Sequence, residues 1–95
     1  MSAYIIVDVK VHNPEGYEEY KKLTSGTLKP YDGEFVVRGG MTEVIEGNWD
    51  PERLVILKFP SVEKAKAWWN SDEYAKARKI RQENSTANML LVEGK

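Results

Sequence analysis

The stretch from Arg53 to Arg81, RLVILKFPSVEKAKAWWNSDEYAKARKIR, decides the fold. Leu54-Val55-Ile56-Leu57-Lys58-Phe59 is apolar at nearly every position, and too short and too β-branched for a helix of its own. It predicts a strand buried on both faces. Pro60 ends it by removing a backbone donor. Ser61 then offers an N-cap, and Glu63 complements the positive end of the helix that follows. At about 100° per residue, Val62, Ala65, Trp68 and Trp69 gather on one side, with Glu63, Lys64, Lys66 and Ala67 opposite. Asn70-Ser71 supplies a second stop and a second cap, and Asp72 and Glu73 occupy another first turn. The prediction is strand, helix, break, helix.

Toward the N-terminus the pattern changes to strict alternation. Ala3, Ile5, Val7, Val9 and Val11 form one face of a first strand, and Tyr4, Ile6, Asp8, Lys10 and His12 the other. Asn13-Pro14 opens a helix, with Asn13 as cap and Pro14 in the first position. Tyr17, Tyr20, Thr24, Leu28 and Tyr31 share its inward stripe, whose hydroxyls need partners once buried. Gly26 and Pro30 predict a kink or an early end, and Asp32-Gly33 closes the element. A second strand is expected from Glu34 to Glu46, interrupted at Gly39-Gly40, with Gly47–Pro51 as the connecting loop. Past the broken helix, Asn84-Ser85 reads as a turn and Ala87–Glu93 as a last strand.

The order is βαββαβ. Two right-handed crossovers around a central hairpin give a four-stranded antiparallel sheet of order 4-1-3-2, with the helices on one face. Strands three and four are nevertheless apolar on both faces. Alone, such a chain would expose a large apolar patch around Leu54 and Ile56, and a symmetric dimer joined sheet to sheet removes it.

Composition bounds the function. The 95 residues suffice for one domain spanning 1–95, and the formal net charge of -1 provides no global field for nucleic acid or an acidic membrane. MSAYIIVDV has no basic segment before its apolar stretch and reads as a strand, not a signal peptide. The lack of cysteine excludes thiol catalysis and fits a reducing, cytoplasmic compartment; His12 is the one histidine, which excludes multi-histidine metal sites. No cofactor and no metal is expected.

These residues carry a resemblance that runs over essentially the whole chain. Pro14-Glu15-x-Tyr17-x-x-Tyr20, Gly33 before Phe35, Arg38-Gly39-Gly40, Glu46-Gly47-x-Trp49, Phe59-Pro60-Ser61, Ala67-Trp68, Asn70-Ser71-x-x-Tyr74 and Arg81 together resemble the domain-of-unknown-function family 1330. The resemblance implies an α+β, ferredoxin-like protomer that pairs into a dimeric α/β barrel. It also implies relatives that include cofactor-independent monooxygenases, lactone isomerases and dechlorinating enzymes. Where this chain has Asp32, the family usually has a small residue.

The residues themselves nominate the site. Tyr74, Arg78 and Arg81 fall on one helical stripe, and forked donors beside a tyrosine suit a carboxylate or phenolate. Arg78 reads first as a surface partner of Asp72 or Glu73, whereas Arg81 leans inward. Arg38 with Gly39 and Gly40 allows close ligand approach, or else a bulge that protects an edge strand. Tyr20 lies deeper in the first helix than Tyr17 and is the better pocket residue. Trp68 and Trp69 read as core. Trp49 either pins its loop or reaches a partner. Asp8 and His12 share a face but stand about 13 Å apart, too far for direct coupling.

The function expected is a homodimeric small-molecule protein with Arg81, Tyr74, Tyr20, Arg38, Gly39 and Gly40 around its ligand. That ligand is a small anionic or aromatic metabolite, and any catalysis is cofactor-free proton transfer or oxidation. Its partners are a second copy and the small molecule, with no nucleic acid and no membrane. The competing expectation is a non-catalytic binding or assembly module. A cavity of about 300 Å³ with converging Arg and Tyr groups favours the first, a filled core the second.

Overall fold

The computed structural model describes residues 1–95. Its elements are β1 (Ala3–Val11), α1 (Pro14–Leu28), a 3-10 turn (Lys29–Tyr31), β2 (Glu34–Arg38), β3 (Arg53–Phe59), α2 (Val62–Trp69), α3 (Asp72–Asn84) and β4 (Ser85–Glu93). The strands form one antiparallel sheet, β2-β3-β1-β4, which is the expected order read from its other edge. The result is an α+β, ferredoxin-like sandwich. No helix is long and apolar enough to cross a membrane.

The alternation of β1 places Ala3, Ile5, Val7 and Val9 under the helices, and register against β3 adds Val55, Leu57 and Phe59. Trp68 occupies the middle of this layer with no exposed surface, its ring centroid 3.9 Å from Tyr74 and 5.5 Å from Phe59. Both helix starts behave as their serines require. Ser61 Oγ accepts from the Lys64 amide at 3.1 Å. Ser71 Oγ accepts from the Tyr74 amide at 3.2 Å and donates to the Trp68 carbonyl at 2.7 Å. One hydroxyl thus ends α2 and begins α3.

Several boundaries differ from expectation. The second strand ends at Arg38, not Glu46, because β3 begins only at Arg53 and offers later residues no pairing partner. Gly39, at φ 73°, turns the chain off the sheet while its amide still bonds the Leu54 carbonyl. Residues 40–52 form a long loop, and the bulge lies at Val36, between the paired Phe35 and Val37, not at the glycine pair. The first helix does not stop at Gly26 but runs to Leu28. That glycine lies on the solvent side, while buried Thr24, Thr27 and Leu28 hold the opposite face. Pro30 sits at the start of the 3-10 turn, where a missing N–H leaves no bond unmade. Asp32 then takes the left-handed conformation at φ 57°, which aspartate tolerates better than most residues. Gly33 follows where a Cβ would come within 2.6 Å of the Phe59 ring.

Asn13 is extended but makes no side-chain cap; its Nδ2 donates instead to Asn84 Oδ1 at 3.0 Å. Asn84-Ser85 is not a turn. The helix runs through Asn84 and the strand starts at Ser85, because Ser85 Oγ donates to the Arg81 carbonyl and Asn84 Nδ2 to the Ile80 carbonyl. The helix end is satisfied without a separate loop.

On the uncovered face Ile6 sits opposite both Ile56 and Leu90. Ile6, Ile56 and Leu54 are half-buried, while Leu90 and Val92 are exposed. Trp49 pins its loop to this same face, its indole N–H donating to Asp8 Oδ2 at 2.8 Å. His12 pairs with Thr86 Oγ1 at 2.6 Å.

Candidate functional site

The inward stripe of α1 meets β2, β3 and the C-terminal turn of α3 in one small space. Two threonines of the stripe satisfy their own hydroxyls along the helix, Thr24 donating to the Tyr20 carbonyl and Thr27 to the Thr24 carbonyl, each at 2.7 Å. Thr27 Oγ1 also accepts the Trp68 indole N–H at 3.0 Å. Tyr20 of the stripe and Tyr74 of α3 hydrogen-bond each other at 3.1 Å. Burial first of all, and then the Tyr74 hydroxyl, push the Tyr20 phenol far up, against smaller opposing effects of the Thr24 hydroxyl and, last, the Arg81 charge. Tyr20 therefore stays protonated at neutral pH and serves as a hydrogen-bonding hydroxyl, not as a base.

Tyr20, Arg38, Arg53 and Arg81 all line this cavity, together with Tyr17 and Lys21. Alternation explains the arginines of the sheet. Arg53 is in phase with Val55, Leu57 and Phe59, and the Val36 bulge brings Arg38 opposite Val55, on that same inward side. On α3, Arg81 lies one turn beyond Ala77 and two beyond Tyr74, all three buried.

The electrostatics are lopsided. Arg81 is only 4% exposed, yet its Nε has no hydrogen-bond partner, and the buried Nε of Arg53 has none either. The protein's two salt bridges, Lys21–Glu18 and Lys64–Asp32, both belong to lysines, so no arginine is ion-paired. Arg38 stacks over the Phe35 ring at 4.1 Å and donates to the Lys21 carbonyl at 3.2 Å; Arg53 sits 5.5 Å from the Tyr17 ring. Aromatic faces give a cation some compensation, but they do not accept at Nε. A buried guanidinium without an acid is costly and is seldom left so without a reason.

The cavity measures only about 20 Å³, well short of the size expected for a whole metabolite. By volume it is nearly filled; by charge it is incomplete. The charge is the better guide, because a filled structural core has no need of an unpaired arginine. Directly outside, and sharing Lys21, Arg38 and Arg53, a polar groove of about 470 Å³ is completed by Glu18, Lys22 and Ser25. There the Lys21 hydrogen bond and charge hold the Glu18 carboxyl below its usual range. A roomier hollow of about 260 Å³ lies elsewhere, between Trp69 of α2 and Met89, Leu90 and Leu91 of β4; it contains Lys66 but no orphaned polar atom.

Of the residues nominated from sequence, Arg81, Tyr20 and Arg38 line the cavity, and Tyr74 stands behind Tyr20. Gly39 and Gly40 lie at the end of β2 outside the lining, although Gly39 leaves room for the Arg53 guanidinium, which a Cβ there would strike. Arg78 does not pair with Asp72 or Glu73. It stacks on Trp69 at 4.7 Å and donates to the Trp69 carbonyl at 3.1 Å. Its angular closeness to Arg81 on a helical projection hid that Arg78 goes to Trp69 while Arg81 lines the cavity. Arg53 is the residue that sequence reasoning missed. Its signal was a cation in phase with the apolar positions of β3.

A family model, Domain of unknown function (DUF1330), matches residues 2–95. Among solved structures, a dimeric ferredoxin-like protein of unknown function from Jannaschia sp. CCS1 is similar with a TM-score of 0.77 at 14% identity, covering 99% of this chain and 100% of that one. A protein of unknown function from Rhodopseudomonas palustris gives 0.73 at 19% identity, over 99% and 83%. SnoaB, a cofactor-independent oxygenase from Streptomyces nogalater, gives 0.72 at 16% identity, over 99% and 93%. At these identities the likeness concerns the fold. No curated protein matches the sequence.

Proposed function

Because the chain belongs to the DUF1330 family, whose description assigns no activity, we propose its function from its own site: it is a homodimer that binds a small organic anion between α1, the β2–β3 edge and α3. The observation that carries this reading is Arg81, 96% withdrawn from solvent with no acid beside it and an orphaned Nε. A ligand carboxylate would supply the missing charge and acceptor together. Arg53 and Arg38 extend the field outward, and Tyr20 offers a neutral hydroxyl at the inner wall.

The dimer is supported by the apolar row Ile6, Ile56 and Leu90 on the uncovered face and by the dimeric state named for the Jannaschia relative. A second reading adds catalysis. The oxygenase from Streptomyces nogalater has this fold and works without a cofactor, which favours cofactor-free oxygenation of the bound anion. Proton transfer by the protein is less well served, since no carboxylate, imidazole or thiol lines the inner cavity.

The test is a thermal-shift screen of small carboxylates and phenols on the wild type and on Arg81→Met. Removing an uncompensated charge should leave the melting temperature of the ligand-free protein unchanged or raise it. Ligand-dependent stabilisation should disappear. Equal stabilisation of both proteins by the same compounds removes Arg81 from the site. No stabilisation in either, with the variant clearly less stable, identifies a filled structural module instead.

A further inference from the structure

We infer that the anion is a short dicarboxylate, one carboxylate entering the inner cavity and the other lying in the outer groove. This rests on the reading of Arg81 as an anion's partner and adds the chemical class. The inner cavity, at about 20 Å³, admits one or two water-sized atoms. A planar carboxylate, with three heavy atoms, can place one oxygen in that space and is the smallest organic anionic group; an aromatic ring or a tetrahedral phosphate is bulkier still. The donors match in number as well. Two buried Nε–H groups without partners, on Arg81 and Arg53, belong to residues that line the same space, and a carboxylate brings one acceptor for each.

The groove outside decides what the rest of the ligand is. Its wall contains no apolar side chain, so an aromatic or aliphatic body lying there would bury little against it. It presents four cations, Lys21, Lys22, Arg38 and Arg53, against the single acid Glu18, in a chain of net charge -1. Lys21 is held by Glu18 at 3.0 Å, and the Arg38 guanidinium is turned onto Phe35 and the Lys21 carbonyl. Lys22 and Arg53 remain without an ionic partner. A second carboxylate carried on a short chain from the first would meet both. Arg53 borders both spaces and so links the two subsites.

The experiment is an NMR titration of the full chain with acetate, malonate, succinate and benzoate at constant ionic strength, on the wild type, Lys22→Gln and Arg81→Met. In the wild type, malonate or succinate should bind about tenfold more tightly than acetate, and benzoate no better than acetate. Lys22→Gln should narrow the dicarboxylate preference severalfold, and added salt should narrow it in the wild type. Arg81→Met should weaken every acid tested. Equal affinities for acetate and succinate, or tighter binding of benzoate, overturn the dicarboxylate while leaving an Arg81-dependent anion site standing. Binding that Arg81→Met does not weaken overturns the site and the dicarboxylate together. Should the methionine variant fail to fold, Arg81→Lys keeps the charge without the fork and should weaken every acid tested while leaving the dicarboxylate preference in place; unchanged affinities in that variant overturn the site.

Discussion

Trp68→Ala is expected to destabilise the protein by about 3–5 kcal/mol. The indole has no exposed surface and stacks between Tyr74 and Phe59, so its removal leaves a cavity between the helical layer and the sheet. The loss has a second part, because the Trp68 N–H also holds Thr27 of α1 at 3.0 Å, which ties the first crossover to the second. Neighbouring side chains cannot collapse into the space easily, since Ala65 and Ala77 are among the other residues of this layer and have little to extend. Denaturant melts measure the effect directly. A loss below about 1 kcal/mol would place Trp68 at a surface instead of at the centre of the core.

The second large effect concerns assembly. Ile56 faces away from the helices, in register with Ile6 on one side and Val37 on the other. In a single chain it is half-buried, and a glutamate there can still reach water. In a sheet-to-sheet dimer the same carboxylate would be enclosed twice, once from each protomer, and each unpaired charge would cost several kcal/mol. Ile56→Glu should therefore halve the mass seen by light scattering, or cause aggregation through the remaining apolar face. The far-UV spectrum of any monomer should stay that of the wild type. A well-folded dimer of unchanged mass would show that the two copies do not meet through this face.

The parts of the fold that were legible in sequence are those fixed by local periodicity and by single capping residues. The alternation of Ala3 to Val11, the two serines that cap α2 and α3, and the two-sided apolar character of β3 each have one physical reading. What was not legible depended on partners distant in the chain. The end of β2 is set by where β3 begins, a fact carried by residues fifteen or more positions away, so Met41 to Glu46 could look like strand and still have nothing to pair with. The direct join of α3 to β4 rests on Asn84 and Ser85 turning their side chains back onto the helix. In isolation the same dipeptide reads as a turn.

The site divides in the same way. Arg81 could be singled out because it falls beside the apolar stripe of its helix, and Tyr20 because it lies deep in α1. Arg53 was available to the same reasoning, since a cation at a core-phase position of a strand is as unusual as one on a core-facing helix stripe. The small size of the inner cavity was not available, because it depends on how tightly Tyr17, Phe35 and Leu57 close around the arginines. That tightness is what favours a carboxylate over a ring.

The most direct measurement follows the Arg81 Nε–H resonance itself in a proton–nitrogen spectrum, assigned by its absence in Arg81→Lys, during titration with succinate. With no partner in the free protein, this N–H should shift saturably and exchange more slowly with water as it gains a charged acceptor. The Arg53 Nε–H should follow with the same midpoint. An Arg81 resonance that stays fixed while other signals saturate, or that moves equally with chloride at matched ionic strength, would contradict an anion site built around Arg81.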